Sequence, residues 1–256
     1  MTGQPDLARS EEPTEASLTV DALDLEQFVE VATHYGKDEL GFVVTPNVDH
    51  MIRHRESREF RDYYADAAYV LLDSQFAATL MRLRYGVNIP VCKGSDLTDA
   101  LFNRVIKPDD VIVLIGTSAE QADALRQRFG LRNLQHHNPP MGFADDPQAV
   151  EAVLAFIEGV SSFRFCLLAV GSPRQEMVAR KLVQRGRARG MVLCIGAAIN
   201  FLTGGERRAP QWMQRTGLEW LYRLLQDPRR LAYRYLVRGP RFFAQLSKDR
   251  LAVRHR

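Results

Sequence analysis

Asp73 is the residue in this chain best placed for acid–base chemistry. It follows the apolar stretch Tyr69–Leu72 and precedes a predicted helix. In open α/β sheets, ligands bind beyond the carboxyl ends of the strands, and a carboxylate at such a position could accept a proton from a hydroxyl group. An aspartate that caps a helix or stabilises a turn is the simpler alternative on the local pattern alone.

Arginines recur among aromatic and aliphatic residues between Glu206 and Tyr235. From Arg207 to Arg256 there are 13 Lys and Arg against 3 Asp and Glu, whereas the rest of the chain has 21 against 28. Guanidinium groups bind phosphate bidentately, and a basic segment with apolar residues also suits an anionic membrane surface. Nucleic-acid binding is the weaker alternative, because no recognised nucleic-acid-binding module is visible.

The elements that position these residues alternate along the chain. Strands are predicted at Gly41–Thr45, Tyr69–Leu72, Val111–Ile115, Phe163–Val170 and Met191–Ile195, with weaker candidates at Ile89–Cys92 and Leu131–His136. Helices are predicted at Leu25–Thr33, Asp49–Ala65, Phe76–Arg84, Asp96–Val105, Ala119–Phe129, Pro147–Glu158 and Arg174–Arg189. Such alternation predicts a Rossmann-like parallel sheet flanked by helices, followed by a basic helical C-terminal appendage.

Small, polar or glycine-rich junctions follow the predicted strands: 45–47, 73–74, 93–96, 116–118, 171–173 and 196–197. Each junction opens a helix, and helix N-termini that converge on one edge favour anions. A diphosphate is the ligand that this edge would suit.

Several of these junction residues have simple structural alternatives. Asn47 could cap the helix that begins near Val48. Taken one at a time, the polar residues of 45–47 are as consistent with a helix cap as with a ligand contact. Ser172 and Gln175 have the spacing of a capping box, with Pro173 at the first helical position. Gln175 could also hold a sugar or a uracil group, and the two roles are compatible.

Other features limit the classes of function. His50 and His54 have the spacing of metal ligands, but no third ligand is evident, so a solvated helix face is favoured. The three cysteines show no disulfide or zinc pattern, which favours a reducing cytoplasm, with Cys166 and Cys194 buried. No signal peptide and no apolar run of membrane-spanning length are present. The absence of a Walker loop and of a Gly-x-Gly-x-x-Gly motif disfavours kinases and dehydrogenases.

The chain resembles the WecG/TagA/CpsF glycosyltransferases from about Ser17 to Phe243. The matching residues are Thr45-Pro46-Asn47, Asp73, Gly94-x-Asp96-Leu97, Gly171-x-Pro173-x-Gln175-Glu176, Arg208-Ala209-Pro210-x-Trp212, Gly217 to Arg223, and Pro228-x-Arg230. Three positions depart from the family pattern: Ser74 replaces a glycine after the carboxylate, Val48 is bulkier than usual, and Val91 stands where an arginine is common.

The resemblance implies an inverting, metal-independent transfer from a UDP-sugar to a polyprenyl-diphosphate-linked sugar, at the cytoplasmic face of the membrane and without a cofactor. It makes Asp73 the base and places Thr45, Asn47 and Gln175 in the substrate pocket. The remaining predicted substrate-binding residues are Gly94, Asp96, Gly171, Glu176, Arg208, Arg223, Arg230 and Arg234. No two aspartates are separated by one residue, so the Asp-x-Asp metal clamp is missing and arginines would neutralise the leaving UDP.

The resulting hypothesis divides the chain into a disordered segment (1–16), a catalytic domain (17–205) and a basic amphipathic appendage (206–256). The expected partners are the UDP-sugar, the lipid-linked acceptor and an anionic membrane surface, with no nucleic acid; a homo-oligomer stays open. The alternative is a non-catalytic, membrane-associated nucleotide-sugar-binding scaffold of a polysaccharide assembly complex. The sequence does not identify the donated sugar.

Overall fold

The computed structural model describes residues 17–35, 39–160, 162–205, 209–210, 212–213, 219–226, 228 and 251–255. The predicted disordered segment 1–16 lies outside these residues. The division between body and appendage at residue 205 stays a prediction.

A six-stranded sheet forms the centre of the protein. Two further short strands, β1 and β8, pair with each other outside it. The strands are β1 (Thr19–Asp21), β2 (Leu40–Val44), β3 (Tyr69–Val70), β4 (Val111–Ile115), β5 (Asn133–His137), β6 (Ser162–Leu168), β7 (Arg189–Cys194) and β8 (Ala252–Arg254). The order in the main sheet is β3-β2-β7-β6-β4-β5, and every pair is parallel. The predicted α/β fold is confirmed.

Helices connect the strands and cover both faces of the sheet. They are α1 (Leu25–His34), α2 (Val48–Glu56), α3 (Arg58–Ala65), α4 (Gln75–Tyr85), α5 (Gly94–Ala100, continued by a π-helical turn at Leu101–Val105), α6 (Ala119–Phe129), α7 (Pro147–Val160), α8 (Arg174–Arg185), α9 (Ala198–Leu202) and α10 (Glu219–Gln226). A 3₁₀ turn at Phe143–Asp145 precedes α7.

The core has two halves because successive strand residues point to opposite faces of the sheet. In β2, Phe42 and Val44 pack with α2, α3, α4, α7 and α8, whereas Val43 packs with α1, α5, α6 and α9. The central strands are buried on both faces, as expected for an all-parallel sheet. Cys166 and Cys194 are buried free thiols, as predicted.

Three predicted elements differ from the structure. The helix expected at Arg174–Arg189 ends at Arg185, and Arg189 begins β7. The helix expected at Asp49–Ala65 is divided at Ser57, whose extended backbone ends α2 and whose hydroxyl accepts a hydrogen bond from Phe60 N–H at 3.1 Å. The weak strand expected at Ile89–Cys92 is irregular, although Cys92 N–H donates to Leu72 O at 3.0 Å.

The small sheet that joins the two ends of the described chain was not predicted. β1 pairs in parallel with β8, so that Thr19 lies opposite Ala252 and Asp21 opposite Arg254. Leu251 is buried in the same half of the core as Leu18. The last described residues therefore pack against the body of the protein.

Gly190 occupies a position in β7 that a larger residue cannot fill. Its φ is +123°, and a Cβ atom built there would lie 2.0 Å from Phe163 O. The pairing of β6 with β7 is irregular between Ser162 and Phe165, so the backbone of β6 approaches this glycine closely.

We expect Gly190→Ala to lower the free energy of unfolding by about 3 kcal/mol or more, since it combines backbone strain with a clash against backbone. The control is Gly130→Ala, where φ is +65° and no atom lies within 4 Å of the added Cβ. That control should cost about 1–2 kcal/mol, from the strained φ alone. Urea unfolding of the two variants compares them, and equal losses would contradict the predicted clash.

Candidate active site

The site lies at the carboxyl edge of four neighbouring strands, and the predicted residues Gly171, Gln175 and Glu176 follow the fourth, β6. Asp73 follows β3, Thr45 follows β2, and Gly196 follows β7, and these strands are adjacent in the order β3-β2-β7. Because all strands are parallel, these loops emerge at the same edge of the sheet. The helices α2, α4, α5 and α8 begin from loops at this edge.

Asp73 is half-buried beside the loop that follows β2. Its N–H donates to Pro46 O at 2.9 Å. The cap of α4 is supplied by Ser74, whose hydroxyl accepts from Ala77 N–H at 3.1 Å. Ser74, and not Asp73, is therefore the cap of α4, and Asp73 lies in the turn between β3 and α4. Its role as a base stays a prediction.

Gly94 and Asp96 bring α5 against the same place. A Cβ atom at Gly94 would lie 2.7 Å from Thr45 Oγ1, so the absence of a side chain allows α5 to approach Thr45. Burial raises the pKa of the Cys92 thiol, and the charges of Asp73 and Asp96 raise it further.

Asn47 is the cap of α2. Its side-chain oxygen accepts from Asp49 N–H at 3.0 Å and from His50 N–H at 3.4 Å. The backbone N–H of Asn47 in turn lies 3.2 Å from His50 Nδ1. The capping role is confirmed, and a contact of Asn47 with substrate stays a prediction.

A chain of polar contacts runs from Asn47 to the start of α8. With Nδ1 accepting from Asn47, the Nε2 atom of His50 faces Glu176 Oε1 at 3.7 Å. Glu176 Oε1 accepts from Gln175 Nε2 at 3.0 Å, and Gln175 Oε1 accepts from Gly196 N–H at 2.9 Å. These contacts connect the loops that follow β2, β6 and β7.

Gln175 and Glu176 are both deeply buried, and Glu176 is only 1% exposed. Burial raises the pKa of Glu176, and the hydrogen bond from Gln175 partly opposes that shift. The position of Glu176 favours an indirect role, in which it orients the Gln175 amide. Direct contact of either residue with substrate stays a prediction.

The capping box predicted for Ser172 and Gln175 does not form. Pro173 is the residue that precedes α8, and no side chain caps this helix. The Gln175 side chain is instead engaged by Gly196 and Glu176. Gly171, with a φ of +76°, supplies the carbonyl oxygen that accepts from Gln175 N–H at 3.0 Å.

The solvated helix face predicted for His50 and His54 is also wrong. His54 is buried against Tyr64, and burial lowers its pKa to about 4, with a smaller contribution from Arg61. His50 stacks on Phe60. Both rings are turned inward because α2 packs against α3.

The C-terminal arginines can be located only in part. Arg208, Arg230 and Arg234 lie outside the described residues. Arg223 lies in α10, but its side chain lies outside the described part. Their proximity to Asp73 stays a prediction.

Within the described ranges, no group of three or more His, Cys, Asp and Glu residues could hold a metal ion. In the same ranges, none of the helices combines the length and the apolar character needed to cross a bilayer. The groups gathered at the carboxyl edge are a half-buried carboxylate, a hydroxyl, amides and helix N-termini. They can accept a proton and bind an anion.

Nearly the whole chain matches a known protein family. The model of the glycosyl transferase WecG/TagA/CpsF family covers residues 15–256. The chain belongs to this family. It is therefore a transferase that takes a sugar donor and an acceptor. Membership of the WecG/TagA/CpsF family confirms the resemblance found in the sequence.

Two members of the site could not be assigned from the sequence. Gly196 takes part through its backbone N–H, for which a glycine after a strand is only a weak signal. His50 stands three residues after the capping Asn47, which is a recognisable position, but its contact with Glu176 depends on the packing of α2 against α8.

We expect Glu176→Leu to lower kcat/KM for glycosyl transfer by about 10-fold to 100-fold, because the Gln175 amide loses its acceptor. Glu176→Gln retains an acceptor oxygen and serves as the matched control, with activity close to wild type. Steady-state kinetics and thermal melting of both variants provide the test. Equal activity of the two variants would show that Gln175 does not depend on Glu176.

Proposed function

We propose that the protein is an inverting, metal-independent glycosyltransferase that moves a sugar from a UDP-sugar to a polyprenyl-diphosphate-linked glycan. The pathway would be the synthesis of a cell-surface polysaccharide of the exopolysaccharide, teichoic acid or common-antigen type. The observation that carries this proposal is the placement of Asp73 at the carboxyl edge of the sheet, where its N–H donates to the carbonyl oxygen of Pro46, the residue next to Thr45.

The proposed reaction is a single displacement. Asp73 accepts the proton of the acceptor hydroxyl as its oxygen bonds to the anomeric carbon of the donor. The bond from that carbon to the diphosphate oxygen breaks, and UDP leaves with the electron pair. Attack opposite the leaving group inverts the anomeric configuration. Helix N-termini at the carboxyl edge favour the negative charge on the departing UDP.

The sheet offers room for an extended donor. From β3, where Asp73 lies, to β6 there are three intervals between strands, or about 14 Å at the usual spacing. Connections from β4 and β6 leave in opposite directions, to β5 and β7, which creates a crevice between their ends. Thr117, which lies there, has a buried hydroxyl without a hydrogen-bond partner among the described residues. This crevice suits the uridine and diphosphate groups.

The other predicted site residues have assigned roles in this proposal. Gln175 contacts the donor and is oriented by Glu176, while Gly94, Asp96 and Gly171 shape the edge of the pocket. The arginines of the appendage, Arg208, Arg223, Arg230 and Arg234, approach the diphosphate and neutralise it.

Membrane contact is proposed through the C-terminal segment. Trp212 is 61% exposed and Leu225 in α10 is 72% exposed, within a segment rich in arginine. The two apolar residues would enter the lipid interface, and the arginines would contact anionic headgroups. Together these contacts would hold the enzyme at the cytoplasmic face of the membrane, where its lipid-linked acceptor lies.

We expect Asp73→Asn to reduce kcat by about 10²-fold to 10⁴-fold while donor binding is retained, since only the proton acceptor is lost. Asp66→Asn is the matched control, because Asp66 precedes β3, at its opposite end, and forms a surface ion pair with Arg180 at 3.0 Å. Turnover and UDP-sugar affinity are measured for both. Wild-type turnover in Asp73→Asn would remove this residue from the role of base.

The reaction class is tested by incubating labelled UDP-sugars with a short-chain prenyl-diphosphate glycan and excess EDTA. We expect transfer of the label to the acceptor at an undiminished rate, with inversion at the anomeric carbon seen by NMR. Loss of transfer in EDTA, restored by Mg²⁺ or Mn²⁺, would contradict the metal-independent mechanism. Donor binding without transfer to any glycan would favour the scaffold.

A further inference from the structure

Asp21 is a buried carboxylate that lies away from the active site. It ends β1 and is 0% exposed. A buried charge is costly unless it is paired and hydrogen-bonded, so the groups that contact Asp21 are of particular interest.

Arg254, near the C-terminal end of the sequence, forms a bidentate ion pair with Asp21. Arg254 Nε lies 2.6 Å from Asp21 Oδ1, and Arg254 Nη2 lies 2.9 Å from Asp21 Oδ2. The backbone strengthens this contact, because Ala22 N–H donates to Arg254 O at 2.9 Å. The pairing of β1 with β8 thus brings the guanidinium to the buried carboxylate.

The second partner of Asp21 is the backbone of β3. Val70 N–H donates to Asp21 Oδ2 at 2.8 Å. β3 is an edge strand of the main sheet and has two residues, so this bond occupies a donor on its open side. Three residues later the chain reaches Asp73, which is held on the other side by Pro46 O.

We propose that Arg254 is a positioning residue for Asp73, acting through the Asp21 carboxylate and the Val70 amide. This inference rests on the proposed role of Asp73 as base. Arg254 holds the Asp21 carboxylate in place, and Asp21 fixes the strand that presents Asp73 to the acceptor hydroxyl. Neither residue contacts the substrate.

The contact between Asp21 and Arg254 also limits how the function of the appendage can be tested. Residues 251–255 pack on the body, so the segment after Gly205 is fixed to the body at both of its ends. A truncation after Gly205 would remove Arg254 together with the arginines proposed to bind UDP. The two contributions must therefore be separated by point substitution.

The experiment is a double-mutant cycle of Arg254→Met and Asp21→Asn in the full chain. Arg254→Met leaves the buried carboxylate without its partner, so we expect kcat to fall about 10-fold to 100-fold with the donor KM within about two-fold of wild type. Asp21→Asn keeps an oxygen that can accept from Val70 N–H and needs no counter-charge. The double variant should therefore recover to within about three-fold of Asp21→Asn.

Arg104→Met is the matched control. Arg104 forms an equally bidentate pair with Glu26, at 2.8 and 2.6 Å, but both side chains are largely exposed. Exposed pairs contribute little, so we expect this variant to retain wild-type kcat. Arg254→Lys keeps the charge without the planar fork and should lie between wild type and Arg254→Met.

Hydrogen exchange of the peptide that covers residues 69–73 gives a readout independent of catalysis. We expect faster exchange in Arg254→Met and protection restored in the double variant. Unchanged exchange in Arg254→Met would overturn the proposed link to β3, whatever the reaction. Faster exchange in Arg254→Met with an unchanged kcat would overturn its positioning role. Wild-type turnover of Asp73→Asn would instead refute the proposed role of Asp73 as base, on which this proposal rests. If Arg254→Met does not fold, the comparison rests on Arg254→Lys and the double variant.

Discussion

The parallel direction of all six strands in the main sheet is the constraint on which the site depends. Because the carboxyl ends share one edge, loops far apart in sequence supply Asp73, Thr45 and Gly196 to neighbouring positions. The helices that start there point the positive ends of their dipoles at the same edge. A carboxylate and an environment favourable to anions are therefore brought together by the topology of the sheet.

Below this edge of the sheet, buried polar side chains contact one another. Gln175 joins the start of α8 to Gly196, and Glu176 fixes the orientation of its amide. His50 extends this contact to the cap of α2. In a buried setting each group would be costly without its partner, so the loops around the site are specified by mutual satisfaction of hydrogen bonds.

The structural features predicted correctly from the sequence are those that depend on the local pattern of residues. The strands β4, β6 and β7 are apolar runs, and the position of Asp73 follows from the end of such a run. The divided helix at Ser57 and the unformed capping box at Ser172 depend on competition between alternative partners, which local spacing does not reveal. β1 and β8 were missed because each is three residues long and its partner lies at the other end of the chain.

The contact between Asp21 and Arg254 spans 233 residues, so it closes a very long loop. Pairings so distant in sequence are reached late, after nearer contacts have reduced the entropy cost of bringing the ends together. A chain cut before Leu251 could still assemble the six-stranded sheet while lacking this final closure. Such fragments would lack the contact that Asp21 makes with Arg254 beside β3, so this edge of the sheet would be completed only when residues 251–255 are present.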